Sequence, residues 1–288
     1  MIKQDISICC ADAVSLRATL YQPAVLTKGA IMIAPATGIK RQFYTHFASA
    51  LAQKGFGVLT FDNRGIGDSL VGDIARSSAD LVQWGEYDMP AVLEQLKTSF
   101  PSTSYYLIGH SAGGQLIGLM YNCADLSAVF NVAASSGSLR NITGFFWLKA
   151  RFFMSILIPV ANFLLGYTPA QWVGMGEPLP RGVARQWATW CSGSGYVKMA
   201  LGKEVQQHWF DIFSGHMMWM FAEDDPIAVQ PNVEEMMNVF SRARSTMLRI
   251  KPEEYARKEI GHMKFFSRAT QQLWHLPVDF FLATEAKC

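Results

Sequence analysis

Three side chains that lie far apart in this 288-residue sequence could together attack an acyl bond: Ser111, Asp225 and His262. A serine hydroxyl is a poor nucleophile at neutral pH and needs an adjacent base, which a histidine imidazole can supply. The imidazole needs an acceptor on its other ring nitrogen, and a carboxylate there stabilises the imidazolium that forms. The residue types and their order along the chain therefore predict acyl transfer through a covalent intermediate.

Ser111 lies at the centre of the pentapeptide Gly-His-Ser-Ala-Gly, residues 109–113. The apolar run before it predicts a buried strand, and the apolar stretch after it is typical of a helix. A tight turn between the two would hold the central hydroxyl in a strained, accessible position. Glycines two positions to either side let strand and helix approach closely. This context favours a nucleophile over an incidental serine in a glycine-rich turn.

The acid and the base follow from strand ends, because working residues of open α/β sheets lie just beyond the carboxyl ends of strands. Asp224 and Asp225 follow a predicted strand at 217–221, and His262 follows one at 246–250. We predict His262 as the base and Asp225 as its partner, since Asp225 directly precedes Pro226, where the loop must turn. Asp224 is the alternative acid. The remaining histidines are predicted to be structural: His46, His110, His208, His216 and His275.

The negatively charged tetrahedral intermediate requires an oxyanion hole. The residue after the nucleophile, Ala112, supplies one backbone N–H. The second is expected from the Pro-Ala-Thr-Gly loop at 35–38, which follows the predicted strand at 30–34. We predict Thr37 as this donor, with Ala36 as the alternative.

The elements around these residues alternate between apolar strands and amphipathic helices after an N-terminal hairpin that turns at Asp12 and Ala13. Such alternation predicts an α/β fold with a mostly parallel sheet and helices on both faces. The predicted strands after the hairpin are 30–34, 57–61, 105–109, 128–133, 217–221 and 246–250. The predicted helices are 43–54, 81–100, 112–123, 232–242 and 267–283. The alternation breaks at 137–207, which is rich in Phe, Trp, Gly and Pro, so we predict an insertion into a core of 1–136 and 208–288.

Composition excludes several classes of protein. Half the residues are hydrophobic and 17% are charged, which argues against a disordered chain. The net charge is +2 and there is no dense Lys/Arg run, so no nucleic-acid partner is expected. Five cysteines at spacings that fit neither a metal site nor a redox pair predict free thiols, and no metal is expected. The N-terminal residues lack the apolar stretch typical of a signal peptide, so none is expected and a cytoplasmic location is predicted.

The longest apolar stretch, 145–165, is interrupted by Lys149, Arg151 and Pro159. Its uninterrupted part is predicted to be too short to span a bilayer, which favours a buried or interfacial helix and no stable membrane span. Membrane attachment through this stretch is an alternative.

Together these residues resemble the α/β-hydrolase superfamily, and the chain looks like the lidded serine hydrolases related to monoacylglycerol lipases and serine aminopeptidases. Three further segments carry the resemblance: a D-x-R-G-x-G-x-S loop at 62–69, the acid segment at 222–227 and the histidine loop at 261–263. More narrowly, segments 35–38, 166–169, 187–191 and 261–266 resemble a group of uncharacterised bacterial predicted hydrolases. Many relatives have His-Gly after the third strand, where this chain has Pro35 and Ala36.

The resemblance implies an α/β-hydrolase fold in which 137–207 is a lid over the site. Its aromatic residues, including Phe145, Phe146, Trp147, Phe152 and Phe153, could line an apolar pocket or simply pack the lid onto the core. We therefore predict a serine hydrolase, esterase-like, acting on an ester, thioester or amide of a small apolar substrate, without cofactor or metal. An acyltransferase with the same triad and, less favoured, a non-catalytic binding protein are the alternatives. Substrate identity and a possible homo-oligomer are left open.

Overall fold

The computed structural model describes residues 1–285, and its centre is a sheet of eight strands in the order β1-β2-β4-β3-β5-β6-β9-β10. All neighbouring pairs from β4 to β10 are parallel, whereas β1–β2 and β2–β4 are antiparallel. The predicted α/β class with a mostly parallel sheet is therefore confirmed. The strands are β1 Ile2–Cys9, β2 Ser15–Gln22, β3 Ala30–Ala34, β4 Gly57–Phe61, β5 Tyr105–His110, β6 Ala128–Val132, β9 His216–Ala222 and β10 Arg244–Ile250.

The N-terminal hairpin forms as its alternation predicts. Cys9 pairs with Ser15, and the turn places Ala13 at a φ of 66°. Cys10 is buried and Cys9 is exposed, so the two thiols lie on opposite faces. Together with Cys123 and Cys191 they are free, while Cys288 lies outside the described residues.

Helices pack against the sheet, with α1 on β2 and β4, α3 on β1, β3 and β4, α8 on β9, and α9 on β6. Their bounds are α1 Thr45–Gln53, α2 Leu81–Gln83, α3 Met89–Ser99, α8 Gln230–Met237 and α9 His275–Glu285. A π-helical turn, Trp84–Asp88, joins α2 to α3, so the helix predicted at 81–100 is continuous.

The helix predicted at 112–123 is wrong. Only α4, Ala112–Gln115, is α-helical, and short 3₁₀ turns follow at Ile117–Leu119 and Cys123–Asp125. Glycine is a poor helix former, and two of the four residues of α4 are glycines. Gly118 lies directly under the Phe210 ring, where an added Cβ would come within 2.1 Å of the ring. Tertiary packing therefore overrides the apolar pattern here.

The segment 137–207 lies between β6 and β9 and contributes no strand to the eight-stranded sheet. It holds α5 Gly144–Phe152, a π turn Phe153–Leu157, α6 Ile158–Leu164, a small β7–β8 pair (Tyr167–Thr168 and Leu179–Pro180) and α7 Arg181–Cys191. Buried Gln186 on α7 accepts hydrogen bonds from the backbone amides of Leu81 (2.6 Å) and Val82 (3.3 Å), which ties the segment to the core. Its role as a lid stays a prediction.

The elements α5 and α6 form one helix, Gly144–Leu164, which runs through both charged residues. At 21 residues and a mean hydropathy of 1.4, it is long and apolar enough to cross a membrane by length and composition. The uninterrupted apolar part after Arg151 is shorter than this helix, and the expectation of no stable membrane span stays a prediction. Only 17% of the helix's apolar 18-residue window is buried, so it is not a core helix.

Candidate active site

Ser111 occupies the turn between β5 and α4 with φ 50° and ψ −113°, a conformation that non-glycine residues adopt only where the surroundings impose it. Its N–H donates to the carbonyl of Val132 at the end of β6 (3.0 Å), and its carbonyl accepts from the amides of Gly114 and Gln115. These backbone bonds hold the residue in its strained turn. No side-chain hydrogen bond engages its hydroxyl within residues 1–285, so the hydroxyl is free to meet a substrate.

Close packing at the neighbouring glycines locks the turn against β3. A Cβ added to Gly113 would lie 2.1 Å from the carbonyl oxygen of Ala34, and one added to Gly109 would lie 2.6 Å from the backbone of Gly114. Real Cβ atoms do not make such contacts, so only glycine lets β5, α4 and β3 approach this closely. The turn thereby sits at the carboxyl end of the central strands.

The loop after β9 carries the two candidate acids, and the structure gives them different partners. Asp225 Oδ2 lies 2.8 Å from Nδ1 of His262, while its Oδ1 accepts from the amides of Ile227 (2.8 Å) and Ala228 (3.0 Å). Asp224 instead accepts from the amides of Ile260 (2.9 Å) and Gly261 (3.0 Å). Asp225 therefore pairs with the imidazole, and Asp224 fastens the loop that carries it.

Asp225 as a whole residue is 1% exposed, and its side chain is fully buried. Burial by itself would raise the pKa of this group, but the charge and hydrogen bond of His262 and the N–H groups of Ala228 and Ile227 outweigh it. The pKa of Asp225 consequently lies below its ordinary value. An ionised acceptor at this position keeps the proton of the facing histidine on Nδ1, which leaves Nε2 as the basic nitrogen.

A buried chain of hydrogen bonds joins the histidine loop to the serine turn. The Ala36 amide donates to the Tyr44 hydroxyl (3.0 Å), this hydroxyl lies 2.8 Å from His110 Nδ1, and His110 Nε2 lies 3.0 Å from the His262 carbonyl oxygen. Since His110 directly precedes Ser111, the chain connects three loops at the carboxyl edge of the sheet. The rings of His110 and His262 are 5.7 Å apart.

The donors and acceptors in this chain of hydrogen bonds follow from the groups at its ends. A carbonyl oxygen only accepts, so Nε2 of His110 must carry the hydrogen that it donates to His262. Burial, with a smaller contribution from the charge of His262, lowers the pKa of His110 to about 3, so the ring is neutral and Nδ1 is an acceptor. The Tyr44 hydroxyl then donates to Nδ1. Sequence patterns gave no signal for Tyr44, and His110 was predicted only to be structural.

No hydrogen bond links the hydroxyl of Ser111 to His262 within the described part of the chain. In enzymes without substrate, catalytic hydrogen bonds are often long and tighten only in the complex. The structure thus brings the three predicted residues to one edge of the sheet and pairs Asp225 with His262.

In the loop after β3, the amides of Thr37 and Gly38 make no hydrogen bond to the described residues. Ala36 donates its N–H to Tyr44, whereas the amides of Thr37 and Ala112 have no acceptor among residues 1–285. Of the two alternatives, this geometry leaves Thr37 available to an oxyanion. Arg41, just beyond the loop, pairs with buried Asp62 in the loop after β4, and its own amide donates to that carboxylate (2.6 Å). Sequence patterns gave no signal for this buried ion pair, which fastens the loop.

The aromatic residues predicted to line a pocket take three different positions. Phe153 is buried and packs edge-to-face on Trp187 of α7, with ring centroids 5.7 Å apart. Trp147 lines an open groove beside Arg151, and Phe146 is half-buried. Phe145 and Phe152 are 70% and 55% exposed, so neither pocket lining nor packing onto the core describes them. Their side chains face solvent because the long helix packs only one side on the protein.

A family model described as the alpha/beta hydrolase family matches residues 34–272, which covers the serine turn, the acid loop and the histidine loop. The chain belongs to the alpha/beta hydrolase family. Its activity is therefore that of a hydrolase of the alpha/beta type. No curated protein matches the sequence of this hydrolase.

Solved structures share the fold of the hydrolase at low sequence identity. A soluble variant of monoglyceride lipase from Saccharomyces cerevisiae has a TM-score of 0.71 at 12% identity and covers 98% of this chain and 94% of its own. A thermostable carboxyl esterase from Bacillus coagulans has a TM-score of 0.61 at 14% identity, covering 98% and 99%. An esterase from Thermogutta terrifontis has a TM-score of 0.61 at 13% identity, covering 98% and 99%. At these identities the likeness concerns the fold alone.

Proposed function

We propose that this protein is a serine hydrolase that cleaves a carboxylic ester through an acyl-enzyme. The observation that carries the proposal is the 2.8 Å contact between the buried Asp225 carboxylate and Nδ1 of His262. The loop that carries His262 is hydrogen-bonded to His110, the residue next to Ser111. An ionised carboxylate facing one imidazole nitrogen leaves the other as a base, which is what a serine nucleophile needs.

The reaction begins when the oxygen of Ser111 bonds to the carbonyl carbon and its proton passes to Nε2 of His262. The amides of Ala112 and Thr37 donate to the oxyanion that develops. The intermediate then collapses, and the alcohol leaves with the proton from His262. Water attacks the acyl-enzyme by the same route, its proton passing to His262 and then to Ser111 as the acid departs. Asp225 remains ionised and stabilises the imidazolium throughout.

An apolar ester is the substrate class that the surroundings favour. The segment 137–207, proposed as a lid, is rich in aromatic side chains, and ligand pockets are predominantly apolar. The structural neighbours include two esterases and a monoglyceride lipase, which favours ester over amide substrates.

The test is turnover of p-nitrophenyl esters with acyl chains of increasing length, beside matching thioesters and amides. We expect Ser111→Ala and His262→Ala each to lower kcat by roughly a thousandfold or more. Ser241→Ala is the matched control, because this exposed serine lies between α8 and β10, outside the proposed site, and its turnover should equal that of the unaltered protein. Near-normal turnover by Ser111→Ala, or no turnover of any panel member, would reject the proposal. Added alcohols or amines that capture the acyl group would redirect it to an acyltransferase.

A further inference from the structure

The helix Gly144–Leu164 carries a continuous apolar stripe that nothing in the described chain covers. Its members recur every three or four residues, the spacing that places side chains on one face of a helix. Each is at least half exposed, and Phe163 reaches 83%. We call this set the exposed stripe: Phe145, Leu148, Phe152, Ile156, Val160 and Phe163. A contiguous apolar surface of this kind marks a contact site rather than chance exposure.

The opposite side of the same helix is fixed to the protein. Phe153 and Ile158 are buried, and Asn162 donates from Nδ2 to the Arg181 carbonyl (3.2 Å) and accepts from the Thr168 hydroxyl (3.0 Å). A helix crossing a bilayer would have to give up these contacts. The exposed stripe is therefore a rigid outer surface, suited to lying against a partner rather than to passing through one.

The charges around the exposed stripe identify the partner. Residues 126–176 contain no Asp or Glu, whereas Arg140, Lys149 and Arg151 fall within them. Lys149 lies over the Phe145 ring (4.8 Å) and Arg151 over the Trp147 ring (5.0 Å), so both cations are held beside apolar surface. Apolar side chains flanked by cations match the acyl and phosphate layers of an anionic bilayer surface.

An open groove of about 490 Å³ lies at the N-terminal end of this helix. The groove is lined by the guanidinium groups of Arg140 and Arg151 and by the Trp147 ring. Hydroxyl side chains also line it, from Thr143, Ser155 and Ser192, and no carboxylate of the described residues does. Guanidinium and hydroxyl groups donate hydrogen bonds to phosphate oxygens. A second copy of this chain seated face to face would instead bring like charges together.

We propose that the exposed stripe docks on the surface of an anionic phospholipid bilayer, with the helix lying in the interface and its cations on lipid phosphates. The docking rests on surface chemistry alone and does not depend on the proposed hydrolysis. If both hold, the segment 137–207 takes apolar esters directly from the lipid phase.

Vesicle flotation of the full chain tests this with vesicles of phosphatidylcholine alone and with one third phosphatidylglycerol. The Ser111→Ala form serves as the parent, so that turnover cannot alter the lipid. We expect the parent to float with anionic vesicles. Phe152→Ser with Phe163→Ser should lower its partition coefficient roughly tenfold or more, because two apolar rings leave the acyl layer. Val71→Ser, at a side chain 83% exposed but outside the segment 137–207, should leave binding unchanged.

The cations are tested separately. Lys149→Gln with Arg151→Gln should lower binding to anionic vesicles roughly fivefold or more, and have little effect with neutral vesicles. Failure of the parent to float, or equal binding by all variants, would overturn the proposal. A concentration-dependent dimer in light scattering that disappears in Phe152→Ser with Phe163→Ser, without flotation, would assign the stripe to a second copy instead.

Discussion

His110 fixes the position of the histidine loop through the two hydrogen bonds of its neutral ring. Its Nε2 donates to the carbonyl of His262, and its Nδ1 accepts from Tyr44. The bond to Tyr44 is buried and the bond to His262 is partly buried, so removing the ring leaves the Tyr44 hydroxyl without its acceptor and the His262 carbonyl without its donor. His110 thus acts on the reaction through His262 and is a positioning residue rather than a catalytic one.

The substitution His110→Phe should lower the free energy of unfolding by about 1–3 kcal/mol at pH 7 and lower kcat more than it alters KM. Its acid response should also change. The folded pKa of His110 is about 3, against an ordinary 6.5, so below pH 6.5 the unfolded chain binds a proton that the folded chain does not. As the pH falls from 6.5 toward 3, protonation of the unfolded chain therefore lowers the free energy of unfolding, by up to ~1.4 kcal/mol per pH unit. Above pH 6.5 this loss is absent.

Urea unfolding between pH 4 and 7 measures both effects. The unaltered protein should lose stability more steeply on acidification than His110→Phe, so the two stabilities converge at low pH. His46→Phe, at an exposed histidine outside the chain of hydrogen bonds, is the control and should keep the full slope. Equal slopes for the protein and His110→Phe would contradict the buried neutral ring.

At the scale of elements, sequence patterns predicted the strands well because each buried parallel strand is a continuous apolar run. The strand β3 lies where the pattern predicts, and β9 extends the predicted strand by one residue at each end. The prediction of a helix at 112–123 was wrong because this segment packs against residues that are distant in sequence, such as Phe210 on Gly118. The hydrogen-bond chain was not predicted, since residues 44, 110 and 262 become neighbours only in the folded sheet.

Gly113 is the glycine that the turn between β5 and α4 depends on most directly. Gly113→Ala would place a Cβ 2.1 Å from the backbone oxygen of Ala34, so α4 must move away from β3 and carry Ser111 and the Ala112 amide with it. We expect kcat to fall about a hundredfold or more and stability to fall by about 1–3 kcal/mol.

Ester turnover and thermal unfolding check this prediction. Gly202→Ala is the control, because its φ of 71° strains an added side chain while no atom lies within 4 Å of the Cβ. It should cost about 1–2 kcal/mol of stability and leave kcat unchanged. Equal kcat values for Gly113→Ala and the unaltered protein would show that close approach of β3 is not required.

For the whole molecule, the family match and the sheet order establish the architecture, while the segment 137–207 gives this chain its individual surface. Composition predicted that this segment departs from the core. It could not predict which aromatic side chains would face inward, because one helix presents Phe153 to Trp187 and Phe152 to solvent. Periodicity shows that a helix has two faces but not which face the rest of the protein covers.

The most direct test of the proposed relay is the rate at which a fluorophosphonate labels Ser111, followed by mass spectrometry of the labelled peptide. We expect labelling at Ser111 alone. It should slow about a thousandfold or more in Asp225→Asn. In the neighbouring Asp224→Asn, which keeps one acceptor oxygen for the histidine loop, it should slow less than about tenfold. Labelling that proceeds equally fast in Asp225→Asn, or that persists in Ser111→Ala, would contradict the proposed relay.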